Sequence, residues 1–241
     1  MNTINLLWFA WPWIGLGGSI VIFLLLIFSD TFQADKTKSR FYDVCWLSWM
    51  IVASYLLHVF EEYGMHVVNG QYLLIASFAE MGVDAMFGGI PLIFFPYVNI
   101  MLTWIGLPAA AKLSKKYPVL GLSGIGFVLF NGLTHIAGTL RMNTDLFTTP
   151  GNVTGIFLFL PLFIWTVYAC RKKSLLPKRS LLIAVASGIL AHIGLFGTYI
   201  LNKFAGHTLT YAYIPILAFM PIIFAWILSK ALHVEIKKQN I

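Results

Sequence analysis

Between Ser54 and His66 the chain reads SYLLHVFEEYGMH, which places two imidazoles and two carboxylates, His58, Glu61, Glu62 and His66, within nine residues. Residues three and four apart share a helix face, so both glutamates fall on the His58 side. At about 100° per residue, Glu62 sits about 40° around the helix from His58 and Glu61 about 60° the other way. Imidazole plus carboxylate is a donor set for iron, manganese or zinc. A second carboxylate beside it can bridge a second ion or act as general base toward a metal-activated water. His58 and Glu62 are therefore candidate metal ligands, and Glu61 and Glu62 candidate catalytic groups. His66 extends the stripe if the helix continues through Gly64.

Other polar groups join this set. The strings Leu56-Leu57-His58-Val59, Leu133-Thr134-His135-Ile136 and Leu190-Ala191-His192-Ile193 share an L-x-H-[I/V] form. His135 and His192 are expected to complete the coordination of one or two divalent ions. Asn131 precedes His135 by one turn and shares its face. Glu80 and Asp84, four apart, form a second acidic pair, and Thr154 lies in the short polar run Pro150-Gly151-Asn152-Val153-Thr154. These are supporting candidates.

The elements that must position these groups are membrane helices. The 241 residues are 59% hydrophobic and 10% charged, against about 25% charged in ordinary globular chains. Apolar runs near the roughly 20 residues that cross a bilayer fall at 11–29, 43–62, 90–111, 117–140, 150–170, 180–202 and 211–232. The expected fold is all-α: one polytopic domain over 1–241, with about seven transmembrane helices. The stretch 65–88 has no Lys or Arg and is read as a re-entrant or interfacial helix. Trp8, Trp11 and Trp13 are read as interfacial anchors on an outer lead-in.

Charge gives the orientation. Of sixteen basic residues, Lys36, Lys38, Arg40, Lys112, Lys115, Lys116, Arg171, Lys172, Lys173, Lys178, Arg179, Lys230, Lys237 and Lys238 fall on one face of the seven-helix map. Only Arg141 and Lys203 fall on the other. The positive-inside rule makes the basic face cytoplasmic, hence N-outside and C-inside. The net charge of +7 then reflects topology and attraction to anionic lipid, with no nucleic-acid partner expected. The expected location is the cell membrane. Cys45 and Cys170 lie near the cytoplasmic face, where a disulfide is not expected.

At 1.5 Å per residue, His58, His135 and His192 lie roughly 18–27 Å from the inner boundary, in the middle or outer half of the bilayer. A central acidic or basic residue there costs about 2.5–3.5 kcal/mol. Several in one layer make sense if they face one another, a metal or water.

With these residues in hand, the chain resembles the HXXEE-motif family of integral membrane proteins. The likeness rests on His58-Val59-Phe60-Glu61-Glu62 preceded by Tyr55-Leu56-Leu57, on Asn131-Gly132-Leu133-Thr134-His135, and on Pro150-Gly151-Asn152-Val153-Thr154. It covers about 45–170. Thr148-Thr149 departs from the aromatic-Ser pair associated with the Pro-Gly. The resemblance implies candidate residues and no particular reaction.

The function expected is therefore metal binding and, through it, catalysis on a small lipophilic or amphipathic molecule reached from the outer leaflet. One alternative is a proton-coupled carrier that uses the His/Glu cluster as a relay. A lesser one is a Ser/His intramembrane hydrolase of rhomboid type, suggested by Gly121-Leu122-Ser123-Gly124 and the later His192.

Overall fold

The computed structural model describes residues 3–65, 67–68, 71–72, 74 and 89–234. Helix α1 spans Thr3–Phe28, α2 Val44–Met65, α3 Phe94–Leu113, α4 Pro118–Arg141 and α5 Asn152–Lys172. The last helical stretch, Lys178–Ala231, is 54 residues long, about 81 Å if straight. A bilayer core is only about 30 Å thick. Gly206 resolves the mismatch, because it holds φ 79° and ψ 175°, a conformation essentially confined to glycine. Helix α6 (178–205) ends there and α7 (207–231) begins. Among the described residues there are seven helices long and apolar enough to cross a membrane, once the sixth continuous one is divided at this break.

Helix α2 is the centre. In its most apolar stretch 78% of residues are buried against neighbours, compared with 28% in α1. Polar side chains on such an enclosed helix must find partners within the protein. The loop before it is tied at both ends. Asp43 caps α2 by accepting from Trp46 N (3.0 Å), while its other oxygen accepts from Ala34 N and Asp35 N (3.0 Å each). Arg40 reaches back to the end of α1 and donates to the carbonyls of Leu26 (2.8 Å) and Ile27. Trp46 Nε1 donates to Leu26 O as well. The α1 carbonyls left open by the helix end are thus satisfied.

Two sequence expectations change. The lead-in is itself helical, since α1 starts at Thr3. Trp11 is no lipid-facing anchor: its ring is buried and packs on Tyr63 at 5.2 Å, because α1 leans on the end of α2. Trp13 does face outward and lies edge-on to Phe60; the Trp8 side chain lies outside what is described. At the start of 65–88, Val67–Val68 (β1) pairs antiparallel with Gln71–Tyr72 (β2), so this part is a small hairpin and not a helix. His66, Glu80 and Asp84 lie outside the described residues.

Helices α4 and α6 touch backbone to backbone. A Cβ on Gly126 would meet Val185 O at 1.8 Å, and one on Gly188 would meet Phe127 N at 2.3 Å. Small residues at this crossing let the helices approach. Ser123 sits in the same contact, fully buried, with its hydroxyl donating to Leu120 O (2.7 Å).

Orientation is tested by single-cysteine labelling. Thr37→Cys, Lys115→Cys and Ser174→Cys, all at exposed positions, are expected to react from the cytoplasmic side, and Thr148→Cys from the outside. Labelling of Thr148→Cys only from the cytoplasm would invert the bundle.

Candidate metal centre

The site forms where α2, α4 and α5 meet. Helix α2 is α-helical to Phe60 and π-helical from Glu61 to Met65. Such widened turns recur at functional sites, and this one begins at the two glutamates. His58, Glu61 and Glu62 are all buried. They are not the solvated end of a helix.

The two glutamates face different partners. Glu62 Oε1 lies 2.8 Å from His135 Nε2 on α4 and 3.3 Å from His58 Nε2. The two imidazole rings stand nearly perpendicular, 79° apart, with centroids at 4.9 Å. Glu61 turns instead to the start of α5. Its carboxyl accepts from Val153 N (2.9 Å), Thr154 N (2.7 Å) and the Thr154 hydroxyl (2.5 Å). Those amides belong to the first turn of α5, where a helix leaves N–H groups without internal partners and attracts negative charge.

Thr154 also sets the state of His58. Its Oγ1 lies 2.7 Å from His58 Nδ1. The hydroxyl has one proton and gives it to Glu61, so its oxygen accepts from His58 Nδ1–H. The other nitrogen of neutral His58, Nε2, then carries a lone pair directed at Glu62 and His135. It is buried and without a hydrogen-bond partner. A lone pair beside a carboxylate oxygen is a place that a proton or a metal ion can fill. A carboxylate holding a histidine tautomer through an outer partner is a recurring feature of metal ligation.

The rest of the pocket holds the rings in place. His58 packs against Phe159 at 4.5 Å and lies edge-on to Tyr55. Gly151, at φ 86°, passes directly over both imidazoles. A Cβ there would come within 2.5 Å of His135 Cε1 and 2.9 Å of His58 Cε1. The adjacent Asn152 side chain donates to Thr139 Oγ1, and Thr139 in turn donates to His135 O (3.0 Å). This joins the start of α5 to the His135 turn of α4.

His58, Glu62 and His135 offer one ligand atom each, all within 4.8 Å of one another. The 3.3 Å edge is close to the roughly 3.4 Å expected between ligands of a tetrahedral ion bonded at about 2.1 Å. The 2.8 Å edge would open by about 0.6 Å. These three residues could hold one metal ion.

His192 is not among them. Its ring is buried against Phe127 at 4.6 Å and Phe130 at 5.1 Å. The sequence depths already differ: His192 is about 12 residues into its helix and His135 about 18, an axial offset of roughly 9 Å. Asn131 is buried near His135, with Oδ1 unpartnered. Glu61, the other candidate base, does not border the neighbouring cavity, and three donors occupy its carboxyl. Gly151 and the Val153 amide were missed as individual positions, although the Pro-Gly-Asn-Val-Thr run marked their neighbourhood.

A cavity of about 390 Å³ opens beside Glu62 and His135. Its walls include Phe94, Phe95, Leu102 and Phe196, with Asn131 and His192 among the polar lining and Arg141 at the α4 end.

A family model described as a protein of unknown function with HXXEE motif matches residues 49–166. Residues 49–166 belong to the HXXEE-motif family. That region contains every residue that builds the cluster: the HXXEE motif supplies His58, Glu61 and Glu62, while α4 and α5 supply His135, Gly151 and Thr154. Thus in this HXXEE chain the two glutamates of the motif have separate tasks, one facing the histidines and the other bracing α5. No curated protein and no solved structure matches the chain.

Proposed function

We propose that the protein binds one divalent transition metal through His58 Nε2, Glu62 Oε1 and His135 Nε2, and uses it on a lipophilic or amphipathic molecule held in the adjoining cavity. The observation that carries this reading is His58 Nε2, buried and without a hydrogen-bond partner, set 3.3 Å from a carboxylate oxygen that a second imidazole also approaches. Two histidines and one carboxylate suit iron, manganese or zinc and leave coordination positions open. A metal held this way supplies Lewis acidity toward a carbonyl or a water. Glu62 and His135 border the cavity, so an ion that they held would lie beside the space where a substrate fits. Glu61 and Thr154 hold the His58 tautomer. The apolar walls exclude bulk water.

The carrier reading has the same residues but no comparable support. Among the described residues, the cluster is a compact triad and not a chain of titratable groups spanning the bundle. The Ser/His hydrolase reading lacks its pair, because Ser123 donates to its own helix and His192 sits among phenylalanines.

Elemental analysis of detergent-purified protein tests the proposal. Near-stoichiometric Fe, Mn or Zn is expected in the wild type, and loss of most of it in His58→Ala and in Glu62→Ala. His207→Ala and His233→Ala are expected to keep full metal. Stoichiometric metal in the His58→Ala, Glu62→Ala double variant would sink the idea, and the carrier reading would take its place.

A further inference from the structure

Among the described residues, the cavity wall carries one lysine or arginine, Arg141, and that cation breaks the charge pattern of the chain. Arg141 is one of only two basic residues among sixteen on the side opposite the basic loops. It closes α4, is exposed, and borders the cavity. Its guanidinium makes no hydrogen bond or ion pair with any described residue. An arginine at a membrane interface often extends toward lipid headgroups, and a cation suits a helix C-terminus. Neither role explains why this guanidinium borders an aromatic cavity.

The interior is equipped for a ligand. Phe94, Phe95, Val98, Leu102, Leu195 and Phe196 supply apolar wall. Asn131 Oδ1 and His192 Nδ1 are buried without partners, and both residues belong to the same wall. The volume of about 390 Å³ lies within the roughly 300–1,000 Å³ of small-molecule sites. Along α4, Arg141 is six residues beyond His135, about 9 Å of axial rise, and Asn131 is about 6 Å further in.

We infer that the molecule taken by this site is an amphiphile with an anionic head, held by Arg141 at the outer rim, and an apolar chain running inward past His135 and Glu62. The inference deepens the metal reading by naming a substrate class, and the head-group half of it stands without the metal. A carboxylate and a phosphate monoester both match a guanidinium, which donates two parallel hydrogen bonds to either. With the head at Arg141, the histidine–glutamate cluster faces the chain several bonds from the head, not the head itself.

Binding of radiolabelled palmitate, methyl palmitate and hexadecyl phosphate to the full-length protein in phosphatidylcholine nanodiscs tests this. Palmitate or hexadecyl phosphate is expected to bind about tenfold more tightly than the ester, the scale of a charge-assisted bidentate contact. Whichever anion binds better identifies the head. Arg141→Gln is expected to abolish the preference and Arg141→Lys to keep part of it, with metal content unchanged in both. Retention of the preference in His58→Ala would support the head-group site independently of the metal. Equal binding of ester and both anions, or an undiminished preference in Arg141→Gln, would overturn the inference whatever the metal analysis gives.

Discussion

Gly151→Ala is expected to strip the metal and loosen the fold together, although it adds a single methyl group. Two penalties coincide at this position. The φ of 86° lies in the left-handed region, where a side chain costs roughly 1–2 kcal/mol. The added Cβ would also lie 2.5 Å from His135 Cε1 and 2.9 Å from His58 Cε1, and overpacking of this kind costs about 1–3 kcal/mol. The two together amount to roughly 2–5 kcal/mol. His58 is fully buried and has no room to retreat, whereas His135 borders the cavity and can shift toward it. His58 is already against Phe159 and Thr154, and His135 against Glu62. The clash is therefore relieved by separating the two Nε2 atoms or by lifting the start of α5. Either movement opens the triad. Gly197→Ala is the control, since it lies within α6 with nothing within 4 Å of a new Cβ. Metal content by mass spectrometry and resistance to denaturant should fall together in Gly151→Ala and stay at wild-type levels in Gly197→Ala. Full metal and unchanged stability in Gly151→Ala would mean that the Pro-Gly turn does not abut the imidazoles.

Helices were legible in the sequence because hydropathy measures one thing, the length of chain that can sit in hydrocarbon. Even the division of Lys178–Ala231 into two spans followed from that length, though the device at the break, Gly206, did not. The candidate site was legible in depth but not in direction. A rise of 1.5 Å per residue puts His192 in the same broad layer as His58 and His135, yet says nothing of which way α6 presents it. The ring ended among Phe127, Phe130 and Phe196. Within one helix, angular reasoning works, and the i+4 spacing singled out Glu62 as the partner of His58. The task of Glu61 depends on α5, which is far away in sequence, and on a π-helical turn that no periodicity reveals. The significance of Arg141 was half visible, as an exception to charge sorting whose position at a cavity emerges only when α3, α4 and α6 are assembled.

Glu61 supplies the sharpest contrast between sequence and structure. From spacing alone, Glu61→Ala should be the milder change in metal content and should act on catalysis, as the loss of a base. The geometry gives a different expectation. Removing the carboxyl leaves Val153 N, Thr154 N and the Thr154 hydroxyl without their acceptor in a buried place, at a cost of about 2–4 kcal/mol. The freed Thr154 proton then turns toward His58 Nδ1. A hydroxyl that donates to Nδ1 selects the opposite tautomer, with hydrogen on Nε2 where the lone pair had been. Metal affinity should fall by about 10–100-fold, the usual effect of losing an outer partner of a ligating histidine. Thr154→Val should weaken metal binding by the same route, because Nδ1–H loses its acceptor, and Thr154→Ser should restore it. Chelator competition reads the affinity, and ¹⁵N chemical shifts of labelled histidine read the tautomer, which a purely structural brace would not alter. Wild-type metal affinity in Glu61→Ala, with only stability reduced, would confine Glu61 to holding α5 against α2.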